Sequence, residues 1–316
     1  LDKNLQNCGG TYMNVTIEKA KDLDELSAFL SEVNKRKRSH IGYCGEKAEG
    51  IHQSLKEDFV ASDSDIKFII ARNSTGEIIA GIGFDIDETS AEVWGPFNKT
   101  SSVKLQYQLW EQLVNENPAV QTFYFFINKE NIQQRTFMDE IKAKNTGEHL
   151  ILEIKEQDFE RVSGKLKSVP FIQSDFNAFE KLHNETFPNT YYDARTITER
   201  LGNGNNLRVI KTETNELLGY VYFEIDTEIS DASLEYIGVS SKARNQGLGT
   251  IMMKEALTEM FSYPQIKEIK LTVENTNSQA NHVYRKAGFE TKDTLISYTL
   301  KLYGALVEEE EDYITQ

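Results

Sequence analysis

Residues 238–257 read "GVSSKARNQGLGTIMMKEAL". An apolar run, "SLEYIGV" at 233–239, leads into them, and Ile251, Met252, Ala256, Leu257 and Met260 mark an apolar stripe beyond. The pattern predicts a strand, a polar turn, then a helix from about Gln246 through Phe261. Gly247 and Gly249 stand at the head of that helix, where glycine costs helix propensity. Something at the junction therefore calls for bare backbone. A helix start presents unpaired N–H groups and the positive end of the macrodipole, so it suits an anion. With no Cβ at Gly247 or Gly249, a phosphate can approach the amides closely, and Arg244 can add a charge-assisted contact. A tight turn with close helix packing would use the same glycines.

Two nucleotide motifs fail here. A Walker A loop needs G-x-x-x-x-G-K-[ST], and no lysine follows Gly249; a dinucleotide fingerprint needs a third glycine where Met252 stands.

The chain also carries an internal repeat. Residues 68–87, "FIIARNSTGEIIAGIGFDID", align without a gap with residues 207–226, "LRVIKTETNELLGYVYFEID". Glu77 matches Glu216, Phe84 matches Phe223, and Asp87 matches Asp226. Both stretches are hairpin signals, two β-rich runs around a polar turn. A second block aligns residues 128–154 with 274–300, each an apolar strand, an Asn, an amphipathic helix and a β-rich run. The openings, "VTIEKAKDLDELSAFL" and "VPFIQSDFNAFEKLHNETF", match more loosely. Three blocks in one order predict two α/β domains of one plan, 13–160 and 166–303. Residues 1–12 are expected to be a leader or remnant, and 304–316 a solvated acidic tail.

For 316 residues, two domains of about 150 agree with ordinary domain sizes. A formal net charge of −15 argues against a nucleic-acid or membrane-surface binder, both of which need basic patches. No transmembrane span or secretory leader is visible, and a cytoplasmic location is expected. The two cysteines, Cys8 and Cys44, make no C-x-x-C pair, and the five histidines make no H-E-x-x-H. Neither a disulfide framework nor a metal site is expected.

"NTNSQANHVYRKAGF" at 275–289 follows "KARNQGLG" in the second copy. Together they resemble the GNAT superfamily of acyl-CoA N-acyltransferases, whose R-x-x-G-x-G loop corresponds to Arg244, Gly247 and Gly249. The family's N-x-x-A-x-x-x-Y-x-x-x-G-F helix corresponds to Asn277, Ala280, Tyr284, Gly288 and Phe289. The resemblance implies two tandem GNAT-like domains, each a mixed, mostly antiparallel sheet flanked by helices. It also implies acetyl-CoA as co-substrate. Its pyrophosphate would lie on Arg244, Asn245, Gln246, Gly247, Leu248, Gly249 and Thr250, and its acyl arm along Ile237 and Val239. A degenerate copy ahead of an intact one is also the layout of mycothiol synthase, which by itself carries no substrate across.

Transfer of an acyl group to an amine needs a base, an oxyanion donor and an acid for the thiolate. By resemblance Tyr284 is the acid; Ala280, Val283, Tyr284 and Ala287 also form a helical stripe that would make it plain core. The oxyanion donor is expected to be a backbone N–H near Val239. Glu235 is the only carboxylate in the central strand and shares side-chain parity with Ile237 and Val239, so it is the candidate base or else a solvated glutamate. Glu224 and Asp226 are further acids on the hairpin. Asn277 either contacts the pantetheine or caps the next helix. Tyr191 and Tyr192, in "FPNTYYDARTITERL", are candidates for the acceptor wall or ordinary loop aromatics. In the first copy the glycine pair is missing, Pro96 offers no N–H, Met138 stands for Tyr284, and Lys142 stands for Gly288. The expected function is N-acetyl transfer to a small-molecule or peptide amine at one site in the second copy. The alternative is a CoA-binding sensor or scaffold without turnover.

Overall fold

The computed structural model of this chain describes residues 15–60, 66–188 and 190–302. The leader and the acidic tail lie outside them. The chain forms two compact units, 1–149 with 293–316, and 150–292. This division departs from the repeat, because the strand that closes the second sequence copy lies in the first unit.

In the first unit the order is β1 (Thr16–Lys19), α1 (Leu23–Asn34), α2 (Ala48–Ser54), β2 (Phe68–Arg72), β3 (Ile78–Asp87) and β4 (Ser90–Asn98). Then come α3 (Val103–Glu116), β5 (Thr122–Asn128), α4 (Ile132–Glu140) and the opening of β6 (Lys144–Lys155). The sheet runs β1-β2-β3-β4-β5 and is continued beside β5 by the last described strand. Helices α3 and α4 cover one face, burying Leu109, Trp110, Phe137 and Met138 against Ile82, Phe84 and Phe125. Helices α1 and α2 cover the other, with Leu26, Leu30 and Ile51 against Phe68 and Ile70.

The second unit holds β7 (Val169–Pro170), α5 (Phe176–Thr186), α6 (Ala194–Glu199), β8 (Asn206–Lys211), β9 (Leu217–Asp226) and β10 (Asp231–Val239). It continues with α7 (Leu248–Met260), β11 (Glu268–Glu274) and α8 (Ser278–Ala287). The final strand, β12 (Glu290–Lys301), begins here and from Asp293 belongs to the first unit, where it pairs antiparallel with β5 from Leu295↔Asn128 to Lys301↔Thr122. Strands β7 to β10 form an antiparallel sheet in the order β10-β9-β8-β7. Along β9 the side chains alternate as a strand requires. Val221, Phe223 and Ile225 face α7 and α8, and Tyr220 and Tyr222 face α5 and α6.

The repeat is visible in the backbone. Both hairpins close with the same bond, Asn73 N–H to Glu77 O at 3.0 Å and Thr212 N–H to Glu216 O at 2.9 Å. Their equivalent turn residues, Gly76 and Asn215, are both left-handed at φ 85° and 65°. Equivalent register shifts follow at Ala71/Arg72 and Ile210/Lys211. Even Lys142, at φ 59°, keeps the left-handed turn that Gly288 makes at φ 110°.

The polar stretch before the second copy is stitched to α7. The Glu255 carboxylate, 2% exposed, accepts from the Lys167 N–H at 2.6 Å and the Ser168 N–H at 2.9 Å. Thr258 Oγ1 accepts from the Val162 N–H at 3.1 Å. Replacing Glu255 with Ala leaves these backbone donors without their charged acceptor, which costs about 2–3 kcal/mol. Chemical denaturation of Glu255→Ala should show that loss, and Glu255→Gln a smaller one; an unchanged midpoint would refute the anchoring role.

Candidate active site

The site forms where two strands part. β10 and β11 lie in different sheets, so no ladder closes the gap between them. A bulge on β10 shapes that gap. Leu234 pairs with Phe223 and Tyr236 with Tyr222, leaving Glu235 as the extra residue. Bulges re-aim side chains. Here Leu234, Ile237 and Val239 pack toward α7 and α8, while Tyr236 packs toward α5. Glu235 is exposed and lines the gap together with Ile237 and Val239. The Ser240 N–H donates to Leu218 O at 2.9 Å, so by strand alternation the Val239 N–H points away from β9, toward the gap.

A cavity of about 360 Å³ occupies the gap, with Ala280 and Tyr284 of α8 and its N-cap Asn277 on one wall and Phe187 among the other residues that line it. The Tyr284 ring meets Phe289 edge-on at 5.9 Å. Burial pushes the Tyr284 hydroxyl above the usual tyrosine range, so it stays protonated at neutral pH. Asn277 Oδ1 accepts from the Ala280 N–H at 3.0 Å, so it caps α8 while also lining the cavity.

A second cavity, of about 590 Å³, shares Val239, Arg244, Gly249, Gln279 and Val283 with the first. Asn245, Gly247, Leu248 and Thr250 also line it; Gln246 lines neither cavity, and its side-chain amide donates to Lys242 O at 3.4 Å. Gly247 is the N-cap of α7, left-handed at φ 75°, with no side chain to cap the helix. A Cβ there would meet nothing within 4 Å, whereas one on Gly249 would touch Val283 and Val239 at 3.5 and 3.7 Å. Conformation therefore requires glycine at 247, and access to the amides benefits from its absence of a side chain. Helix α3 in the first unit is closed differently: Ser102 Oγ caps it by accepting from the Leu105 N–H at 3.3 Å.

The candidate acceptor wall is divided. Tyr191 is 88% exposed and lines neither cavity. Tyr192 lies under the Arg200 guanidinium, 4.5 Å from its ring centroid, and its backbone is held by Tyr236 and His183. Phe187, from the same segment, reaches the cavity instead. Glu224 is engaged by Arg200 at 2.8 and 2.9 Å and by the Tyr222 hydroxyl at 2.5 Å, so it is not a free base. Asp226 accepts the Glu228 N–H at 2.9 Å in the hairpin turn. Among the described residues no group of acidic, His or Cys side chains could hold a metal, and no helix is long and apolar enough to cross a membrane. Cys44 is buried and unpaired.

Residues 176–289 match the model of the acetyltransferase (GNAT) family. The whole chain shares its fold with known structures. One is a GCN5-related N-acetyltransferase from Sphaerobacter thermophilus, 13% identical with a TM-score of 0.68, where the match covers 92% of this chain and 97% of that one. Another is a tandem GNAT protein of the clavulanic acid biosynthesis pathway, 14% identical with a TM-score of 0.60, covering 93% and 99%. A third is the glucosamine N-acetyltransferase region of a fungal multi-domain β-N-acetylglucosaminidase, 12% identical with a TM-score of 0.60, covering 93% and 39%. The fold shared with these structures therefore extends over nearly the full length.

One buried group supports the wall. His183 is fully buried; its Nε2–H donates to Tyr192 O at 2.8 Å, and its Nδ1 accepts the Tyr220 hydroxyl proton at 2.6 Å. A carbonyl can only accept, which fixes this tautomer. Burial lowers the His183 pKa below the usual histidine value. The unfolded chain thus binds this proton first, and stability falls as pH drops below about 6.5 toward the lower native value. His183→Gln should remove that component of the pH slope in denaturation series; the same slope in the variant would sink the assignment.

Proposed function

We propose that the chain is an acetyl-CoA-dependent N-acetyltransferase acting on a primary amine of a small molecule or peptide, with one active site in the second unit. The observation that carries this reading is the open edge of β10, leading directly to the uncapped amides of α7 at Gly247. Those amides and Arg244 suit the diphosphate of the coenzyme, and the gap beside Ile237 and Val239 suits its acyl arm. The Val239 N–H is placed to stabilise the oxyanion as the amine nitrogen attacks the thioester carbon. Glu235 takes the amine proton. The C–S bond then breaks, and Tyr284, kept neutral by burial, donates its hydroxyl proton to the thiolate. The cytoplasm is the proposed location.

The first copy, 13–160, is proposed to be non-catalytic. Its β4 still pairs with β5 over Ser90↔Thr122 to Glu92↔Tyr124, its helix α3 is capped by its own Ser102, and Met138 has no proton to donate.

Free-thiol release from acetyl-CoA with a panel of amines tests the activity, and titration of the chain with acetyl-CoA tests the single site. Release with no amine, or two sites per chain, would contradict the reading. Tyr284→Phe should lower turnover about 100-fold with little change in the KM for acetyl-CoA. In Glu235→Gln the acid limb of the pH–rate profile should disappear along with most activity; a retained limb would remove Glu235 from the base role.

A further inference from the structure

Helix α8 faces both cavities, with Gln279 and Val283 lining the two together and its other residues divided between them. Ala280 and Tyr284, four residues apart, line the gap beside β10, while Ser278, His282 and Lys286, also at four-residue spacing, line the cavity over the α7 N-terminus. Residues so spaced form one ridge, rising about 6 Å per step. The ridge ends in a cation, Lys286. Lys286 and His282 are exposed and make no ion pair or side-chain hydrogen bond among the described residues. Across the cavity Arg244 donates its Nε–H to Val239 O at 3.5 Å and, among the described residues, makes no ion pair. The neighbouring Lys242, by contrast, is paired with Glu216 at 3.5 Å and lines neither cavity.

This second cavity therefore offers donors at two levels. One is the α7 amides with Arg244. The other is His282 with Lys286 on the facing helix. A lone diphosphate would engage the first set and leave the second idle. Coenzyme A carries a further dianion, the phosphate on its ribose 3′ oxygen, separated from the diphosphate by the sugar.

Building on the coenzyme reading of this site, we propose that His282 and Lys286 bind the 3′-phosphate and make the enzyme selective for coenzyme A over its 3′-dephospho form. Both side chains are on the surface of a helix whose packing runs through Ala280, Val283, Tyr284 and Ala287, so their replacement leaves the fold intact.

The test is equilibrium titration of the full chain with coenzyme A and with 3′-dephospho-coenzyme A. Wild type should bind coenzyme A at least 10-fold more tightly, as a charge-assisted contact or two would give. Lys286→Ala and His282→Ala should each weaken coenzyme A binding severalfold and leave dephospho-coenzyme A binding unchanged, so that selectivity collapses in the double variant. Equal weakening toward both ligands would place these charges elsewhere on the coenzyme and overturn the inference, as would a wild type that does not discriminate. Binding of neither ligand would instead overturn the coenzyme reading on which it rests.

Discussion

Main-chain N–H and C=O groups that lose contact with water need partners, and that requirement governs the second unit. β10 satisfies one edge by pairing with β9 and leaves the other facing a gap, because β11 belongs to a different sheet. An unpaired strand edge inside a folded unit is costly unless something polar can reach it. The bulge at Glu235 concentrates the consequences: it turns one carboxylate into the gap and its neighbour Tyr236 to the opposite face, where it holds the segment bearing Tyr192. The geometry of the cavity, the exposure of Val239 and the position of the acceptor wall all follow from that one extra residue.

The first unit shows the same plan with the gap filled differently: beyond the short β4–β5 ladder, residues 40–42 bond β5, with Gly42 N–H on Phe126 O at 2.6 Å and Asn128 N–H on His40 O at 3.1 Å. Its β4 and β5 pair over their first three residues, and α3 receives a side-chain cap that α7 lacks. The two hairpins, with their shared turn geometry and register shifts, show that the copies differ at the site and not in the scaffold. Loss of two glycines and one tyrosine is compatible with an unaltered framework, since none of the three is needed for the sheet.

Much of this was legible in the residues because the physics was local. Gly247, the Asn277 cap and the hairpin turns are short-range features that sequence spacing encodes directly. The parity of Glu235 with Ile237 and Val239 was equally readable, although the bulge beside it was not. What escaped was set by tertiary packing. Phe187 lines the cavity while the more conspicuous Tyr191 faces solvent, a choice made by how Tyr236 and His183 fix the intervening backbone. Glu224 looked available until Arg200 was found against it. His282 and Lys286 carried a readable signal in their four-residue spacing from Ser278, but only the fold shows that this ridge faces α7.

The placement of β12 has a consequence for synthesis. β5, whose contact with β4 is only three residue pairs long, takes its main ladder of seven pairs from residues 295–301. A ribosome delivers those residues after the whole second unit has been made. The first unit to emerge is thus the last that can be completed, and until then β5 presents a bare apolar edge of the kind that recruits wrong partners. Removing residues 295–301 would accordingly leave β5 of the first unit without its main ladder, although every other strand of that unit precedes the second unit in the chain.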